Sequence, residues 1–70
     1  HKEDIPLYLD YFLEKANKKY GKNICGFDKK TVKWLMAKDF PGNVRQLENL
    51  VESAVALSGR RNVLTSADFY

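Results

Sequence analysis

The sequence is poor in cysteine and histidine, with one of each among its 70 residues. A single thiol, Cys25, cannot form an internal disulfide, whereas small secreted domains usually carry several. We therefore expect a cytoplasmic protein and interpret Cys25 as a loop thiol without a role. The histidine is the terminal His1, far from Cys25 in the sequence. Neither a Cys/His metal site nor a Cys/His nucleophile pair is expected.

Long apolar runs and phosphate-binding loops are also missing. No apolar run approaches the ~20 residues of a membrane span, and no signal peptide is visible. We therefore expect no membrane partner. The pattern Gly-x-x-x-x-Gly-Lys-Ser/Thr, whose backbone cradles phosphates, does not occur. Since no base, nucleophile or metal-ligand cluster stands out, the chain is not expected to be an enzyme in isolation.

What is present is the composition of one small globular domain spanning residues 1–70. Hydrophobic residues make up 44% of the chain and charged residues 30%, which lies in the globular range. The net charge of +3 is confined to residues 21–42, where five lysines face only two acids. This patch either meets an acidic partner or is a solvated lysine face, and the second is the commoner case. The five lysines are Lys22, Lys29, Lys30, Lys33 and Lys38.

Apolar spacing predicts helices throughout. A first helix is predicted from about Ile5 to about Tyr20, with Asp4 as its N-cap and Pro6 in its first turn. Gly21 is expected to end it in a left-handed conformation. Asp28 should cap a second, shorter helix. That helix carries Val32, Leu35 and Met36 on its apolar side and ends at Phe40-Pro41-Gly42; Ile24 and Phe27 should anchor the preceding loop.

A third helix is predicted from Asn43, which stands in capping-box spacing with Gln46, to Gly59. A second capping box, Thr65 to Asp68, should open a further helix that the sequence cuts off at Tyr70. No strand pattern is long enough to build a sheet. We therefore expect an all-α fold, a small bundle of three to four helices. The third helix should bury Val44, Leu47, Leu50, Val51, Ala54, Val55 and Leu57.

The most informative site is the start of the third helix. Its unpaired N–H groups and partial positive charge favour anions, and Gly42 before Asn43 would let a ligand approach the backbone. Arg45 could then reach a phosphate. The alternative from spacing alone is a weak surface pair between Arg45 and Glu48.

Two other functions stay open at this point. The second and third helices could form a small basic helix-turn-helix-like DNA-binding module. However, Glu48 and Glu52 on the exposed face of the third helix would repel a phosphate backbone, so no direct DNA contact is expected. A plain helical interaction domain is the other possibility.

Residues 40–49, Phe-Pro-Gly-Asn-Val-Arg-Gln-Leu-Glu-Asn, closely resemble the signature at the C-terminal end of the sigma-54 interaction domain of bacterial enhancer-binding proteins. Glu3 to Leu7 resemble the start of the same subdomain. The apolar stretch from Val51 to Leu57 and the turn at Val63-Leu64-Thr65 extend the likeness over most of the chain. Two departures are small, since the family commonly has Trp at Phe40 and Glu at Gln46.

The resemblance implies the C-terminal helical lid subdomain of an AAA+ ATPase, a fragment of a larger sigma-54-dependent transcriptional activator. Its expected partners are a large α/β subdomain of the same chain, neighbouring subunits of a hexameric ring, and sigma-54 RNA polymerase. ATP with Mg²⁺ would bind the full-length protein, and none is expected bound to this chain alone. Arg45 corresponds to the sensor II arginine, and Val44 and Ile5 would line the adenine end of the cleft.

Overall fold

The computed structural model describes residues 4–37 and 44–69. In this part of the chain, three α-helices, two very short strands and a 3-10 helix follow one another. In chain order they are α1 Ile5–Tyr20, β1 Gly26–Phe27, α2 Lys29–Ala37, α3 Val44–Ala56, β2 Val63–Leu64 and the 3-10 helix Ser66–Phe69. The predicted all-α bundle is confirmed.

The bounds of α1 agree with the prediction. Its buried residues recur every three or four positions along one face, as an amphipathic helix requires. Gly21 ends the helix with φ 63°, and its N–H donates to the carbonyl of Asn17. Asp4 occupies the N-cap position, but its side chain makes no capping hydrogen bond. Asp4 therefore stands where the N-cap was predicted but does not make the predicted capping hydrogen bond. The first turn contains Pro6, as predicted, and the N–H that proline lacks is not needed there. The buried residues of α1 are Ile5, Leu9, Phe12, Leu13 and Ala16.

α2 begins at the predicted cap. The N–H of Thr31 donates to Oδ1 of Asp28 at 2.8 Å, which satisfies one of the free donors of the first turn. Leu35 is fully buried, and Trp34 and Met36 pack partly buried against the core. The predicted end of the helix at residues 40–42 lies outside the described residues.

α3 buries a narrower face than predicted. Val44 is 40% exposed and Leu57 82% exposed, so assigning these two residues to the core was wrong. Val44 stands at the first position of the helix, and Leu57 lies beyond its end. The buried residues of α3 are Leu47, Val51, Ala54 and Val55.

The end of α3 also differs from the prediction. The helix stops at Ala56 rather than at Gly59. Ser58 is buried, and its backbone N–H and its hydroxyl both donate to the carbonyl of Val55, at 3.2 and 2.7 Å. These bonds close a turn before the glycine is reached. Gly59, with φ 64°, serves the loop beyond that turn.

A short strand pair contradicts the expectation that no sheet forms. β1 and β2 run parallel, with Gly26 opposite Val63 and Phe27 opposite Leu64. Each strand follows a long helix, so the pair ties the loop after α1 to the loop after α3. The predicted capping box beyond β2 is formed in part, because the N–H of Thr65 donates to Oδ2 of Asp68 at 2.7 Å. It opens the 3-10 helix.

α1 and α3 lie side by side and run in the same direction. Lys15 bonds Glu48 and Lys19 bonds Glu52, so one turn along α1 corresponds to one turn along α3. Ile24, from the loop after α1, and Leu64, from β2, close the core that the helices share. The predicted anchors Ile24 and Phe27 are confirmed, Ile24 as buried and Phe27 as packed against the core.

Candidate functional site

Arg45 lies in the first turn of α3, at the edge of a groove between α3 and α1. Its side chain is exposed. The groove is lined from α1 by Phe12, Lys15, Ala16 and Lys19, and from α3 by Arg45, Glu48, Asn49 and Glu52. Because the N-terminal end of a helix carries a partial positive charge, a guanidinium placed there is stabilised only when an anion is close.

Glu48 does not supply that anion. Its Oε2 accepts a hydrogen bond from Nζ of Lys15 at 2.8 Å, across the groove. The hydrogen bond to Glu48, with the attraction of its charge, raises the pKa of Lys15 above its ordinary value. The pair that spacing alone suggested, Arg45 with Glu48, is not among the ion pairs of the described residues.

The next acidic residue of α3 is held in the same way. Glu52 Oε1 accepts hydrogen bonds from Nζ of Lys19 at 2.5 Å and from the hydroxyl of Tyr20 at 2.8 Å. The hydrogen bonds from Lys19 and Tyr20 lower the pKa of Glu52. The same contact raises the pKa of Lys19. The carboxylates of Glu48 and Glu52 are therefore both paired with lysines of α1.

Arg45 is thus left without an internal partner among residues 4–37 and 44–69. None of the side-chain hydrogen bonds or ion pairs of that part of the chain involves it. Arg61, by contrast, pairs with Asp68 at 2.5 Å. An exposed guanidinium at a helix N-terminus, with the neighbouring acids already bound, can accept a phosphate as its counter-ion.

The other predicted site residues are placed differently. Val44 is exposed beside Arg45, whereas Ile5 is only 8% exposed and belongs to the core. Ile5 precedes Phe12, which borders the groove, by two turns of α1, or about 10 Å along the axis. Ile5 is not among the residues that line the groove with Arg45. Gly42 and Asn43 lie outside the described residues, and the roles of all four stay predictions.

Lys15 is the residue of this groove that sequence reasoning missed. It is 33 positions away from Glu48 in the chain, so no local spacing connects the two. Only the parallel packing of α1 on α3 brings them together.

The other residues that the sequence singled out gain no further support as binding sites from the described part of the chain. Cys25 is an exposed free thiol. Lys29, Lys30 and Lys33 are exposed, as a solvated face would be, while Nζ of Lys22 donates to the carbonyl of Gly59 at 2.9 Å. Lys38 and His1 lie outside the described ranges. No cluster of three or more metal-ligating side chains occurs within them, and no helix there could cross a membrane.

The class of protein follows from comparison with known families. Residues 1–70, the whole chain, match the family model described as the AAA+ ATPase lid domain. The chain therefore belongs to this family, and the resemblance drawn from residues 40–49 to the lid of sigma-54-dependent activators is confirmed. The match is to a lid and not to a complete ATPase.

The individual relatives are named as transcriptional regulators. The formate hydrogenlyase transcriptional activator of Salmonella typhimurium (strain SL1344) is 47% identical over 62 residues, covering 89% of this chain and 9% of that protein. The phenol regulator MopR of Acinetobacter guillouiae is 42% identical over 57 residues, covering 81% and 10%. The transcriptional regulatory protein ZraR of Salmonella typhi is 43% identical over 56 residues, covering 80% and 13%. The chain spans about a tenth of the length of these relatives.

Proposed function

We propose that the chain closes as a lid over ATP in a sigma-54-dependent transcriptional activator, with Arg45 contacting the phosphates of the nucleotide. The family match and the names of the relatives support the setting. The observation that carries the role of Arg45 is its lack of a partner within the described residues, although Glu48 lies one turn away. Lys15 donates a hydrogen bond to that carboxylate instead.

The free energy of such a contact is large enough to move a lid. A hydrogen bond between a guanidinium and a phosphate contributes roughly 1.5–3 kcal/mol. A nucleotide shifts the position of a lid only by the difference in its affinity for the open and closed states. If Arg45 meets the γ-phosphate, ATP holds the lid closed more strongly than ADP does, and hydrolysis weakens that hold.

The remaining parts of the reaction belong to the rest of the activator. We propose that a large α/β subdomain of the same protein supplies the phosphate loop and the residues that bind Mg²⁺. Neighbouring subunits of a hexameric ring would respond to lid movement, and the ring would remodel sigma-54 RNA polymerase in the cytoplasm. The chain described here contributes the lid, with Arg45 as a contact to the phosphates.

The test is the ATPase rate of the intact activator that contains this lid, compared with its Arg45→Ala variant. We expect apparent ATP affinity to fall about 10- to 150-fold, as the loss of 1.5–3 kcal/mol requires, together with a large fall in turnover. Arg60→Ala is the matched control, because Arg60 is also an exposed arginine but lies in the loop after α3. Equal rates and affinities for Arg45→Ala and the parent protein would exclude the proposed role.

A further inference from the structure

The hydrogen bond between Lys15 and Glu48 lies in the groove that Arg45 also lines. Nζ of Lys15 lies 2.8 Å from Oε2 of Glu48. The Glu48 side chain is only 23% exposed, whereas that of Lys15 is 61% exposed. The carboxylate is therefore partly enclosed in the groove, and the lysine reaches over to it from α1.

Without Lys15, Arg45 would be the cation available to Glu48. Opposite charges three positions apart on a helix face are neighbours and attract each other, so Glu48 would turn towards Arg45. Glu52 cannot take this place. It follows Arg45 by two turns, about 10 Å along the axis, and it is held by Lys19 and Tyr20.

We propose that Lys15 is a positioning residue, which keeps Glu48 away from Arg45 so that the guanidinium is left to meet phosphate. This inference rests on the proposed role of Arg45 in contacting the nucleotide. Lys15 acts through Glu48 and touches no nucleotide itself. An acid one turn away would otherwise compete with the phosphates of the nucleotide for Arg45.

Two features of the groove support this arrangement. The ordinary pKa of a lysine ammonium, 10.5, already lies well above neutral pH, and the hydrogen bond to Glu48 raises the pKa of Lys15 further, so Lys15 is charged throughout the neutral range. Lys15 also belongs to a different helix from Glu48, and the contact therefore fixes the carboxylate relative to α1 as well as to α3. The next pair, Lys19 with Glu52, repeats the geometry one turn further from Arg45, which provides an internal control.

The experiment measures the affinity of the intact activator for a non-hydrolysable ATP analogue with Mg²⁺. Lys15→Met keeps an unbranched side chain of nearly the same length and removes its charge. We expect affinity to fall about two- to fivefold, the competition that one surface ion pair can exert. In Lys15→Met/Glu48→Gln the competing charge is gone, so affinity should return to that of Glu48→Gln alone. Lys19→Met should leave affinity unchanged.

A merely structural role for Lys15 gives a different pattern. Lys15→Met and Lys19→Met each remove one exposed pair, so both should lower the thermal midpoint slightly and to a similar extent, whereas only Lys15→Met should weaken nucleotide binding. An effect of Lys15→Met that Glu48→Gln does not reverse would overturn the proposal. So would an unchanged affinity in Lys15→Met while Arg45→Ala loses affinity. If Arg45→Ala itself has no effect, the proposed function fails first.

Discussion

Thr31 is a polar side chain in the core, and its environment explains why it is tolerated there. The residue is fully buried, yet its hydroxyl donates to Oδ1 of Asp28, the carboxylate oxygen that also accepts the backbone N–H of Thr31. These two bonds from Thr31 lower the pKa of Asp28. Asp28 in turn donates its own N–H to the carbonyl of Leu64 at 3.1 Å. One residue pair thus caps α2 and joins it to β2.

Thr31→Val tests this pair at nearly constant volume. The methyl group that replaces the hydroxyl cannot donate to Asp28, so the free energy of unfolding should fall by about 0.5–1.5 kcal/mol. The pKa of Asp28 should rise towards its ordinary value of 3.8. Urea denaturation measures the first effect and NMR titration of the carboxyl group the second. Thr31→Ser is the control, because it keeps the donor and should keep the pKa of Asp28 low. An unchanged pKa in Thr31→Val would contradict the assignment.

At this scale the sequence predicts what depends on neighbouring residues. Asp28 as a cap and Gly21 as a left-handed stop both follow from local chemistry, and both are confirmed. The burial of Thr31 and the bond from Lys15 to Glu48 depend on elements distant in the chain, so no local pattern indicates them. Arg45 is intermediate. The sequence predicted that Arg45 lies in the first turn of α3, but it could not predict that Arg45 makes no ion pair with Glu48.

At the scale of elements, the join between α1 and β1 is held at both ends of a short loop. Gly21 turns the chain with φ 63°, and Lys22 donates its N–H to the carbonyl of Asn17 at 2.9 Å. The side-chain amide of Asn17 then bonds both the carbonyl and the N–H of Ile24, at 2.9 and 3.1 Å. The path of the chain from α1 to β1 is therefore fixed by bonds among Asn17, Gly21, Lys22 and Ile24, and β1 pairs with β2.

Gly21→Ala should destabilise the chain by about 1–2 kcal/mol, because an L-residue with a side chain is strained at this positive φ. No heavy atom would lie within 4 Å of the added Cβ, so the loss reports backbone strain and not a clash. Gly26→Ala is the matched control. Its Cβ would also meet open space, and its φ is not positive, so stability should be unchanged or rise slightly. Equal losses in thermal denaturation of the two variants would contradict this account.

Helices and strands, like single residues, could be predicted where the signal is local and not where it depends on residues distant in the chain. Periodicity predicted α1 with approximate bounds that agree with Ile5–Tyr20, since a long apolar stripe with Pro6 in its first turn and Gly21 after its end contains the whole signal. The pair β1–β2 was missed because two-residue strands show no alternation, and their pairing joins residues 26–27 to residues 63–64. The end of α3 was placed too late, because the bonds of Ser58 close the turn before Gly59 is reached.

At the scale of the whole molecule, charge stabilises the fold in a defined pH range. Among residues 4–37 and 44–69, three carboxyl groups have lowered pKa values in the fold. Hydrogen bonds lower those of Asp28 and Glu52. For Asp68, burial alone would raise the pKa, but the N–H of Thr65 and the guanidinium of Arg61 outweigh it. On the alkaline side, the pKa values of Lys15, Lys19 and Tyr20 are raised by contacts with Glu48 and Glu52.

The sign of each effect gives the pH profile of stability. A carboxyl group with a lowered pKa in the fold stabilises above its ordinary pKa of 3.8 for Asp or 4.5 for Glu, and this stabilisation is lost as the pH falls through the lower, folded value. The raised pKa values of Tyr20 and the two lysines have the opposite sign. The unfolded chain releases those protons first, above the ordinary values of 10.0 and 10.5, which favours unfolding.

We therefore expect the free energy of unfolding of the 70-residue chain to be nearly constant from about pH 5 to pH 9 and to decline on both sides. Urea denaturation at a series of pH values measures this profile. Asp28→Asn should flatten the acid limb, since an amide cannot be protonated there but still accepts the N–H of Thr31. Glu14→Gln is the control. Glu14 meets only Lys18, at 3.4 Å with both side chains largely exposed, so its removal should leave the acid limb unchanged. An acid limb that Asp28→Asn does not alter would place the responsible proton on another group.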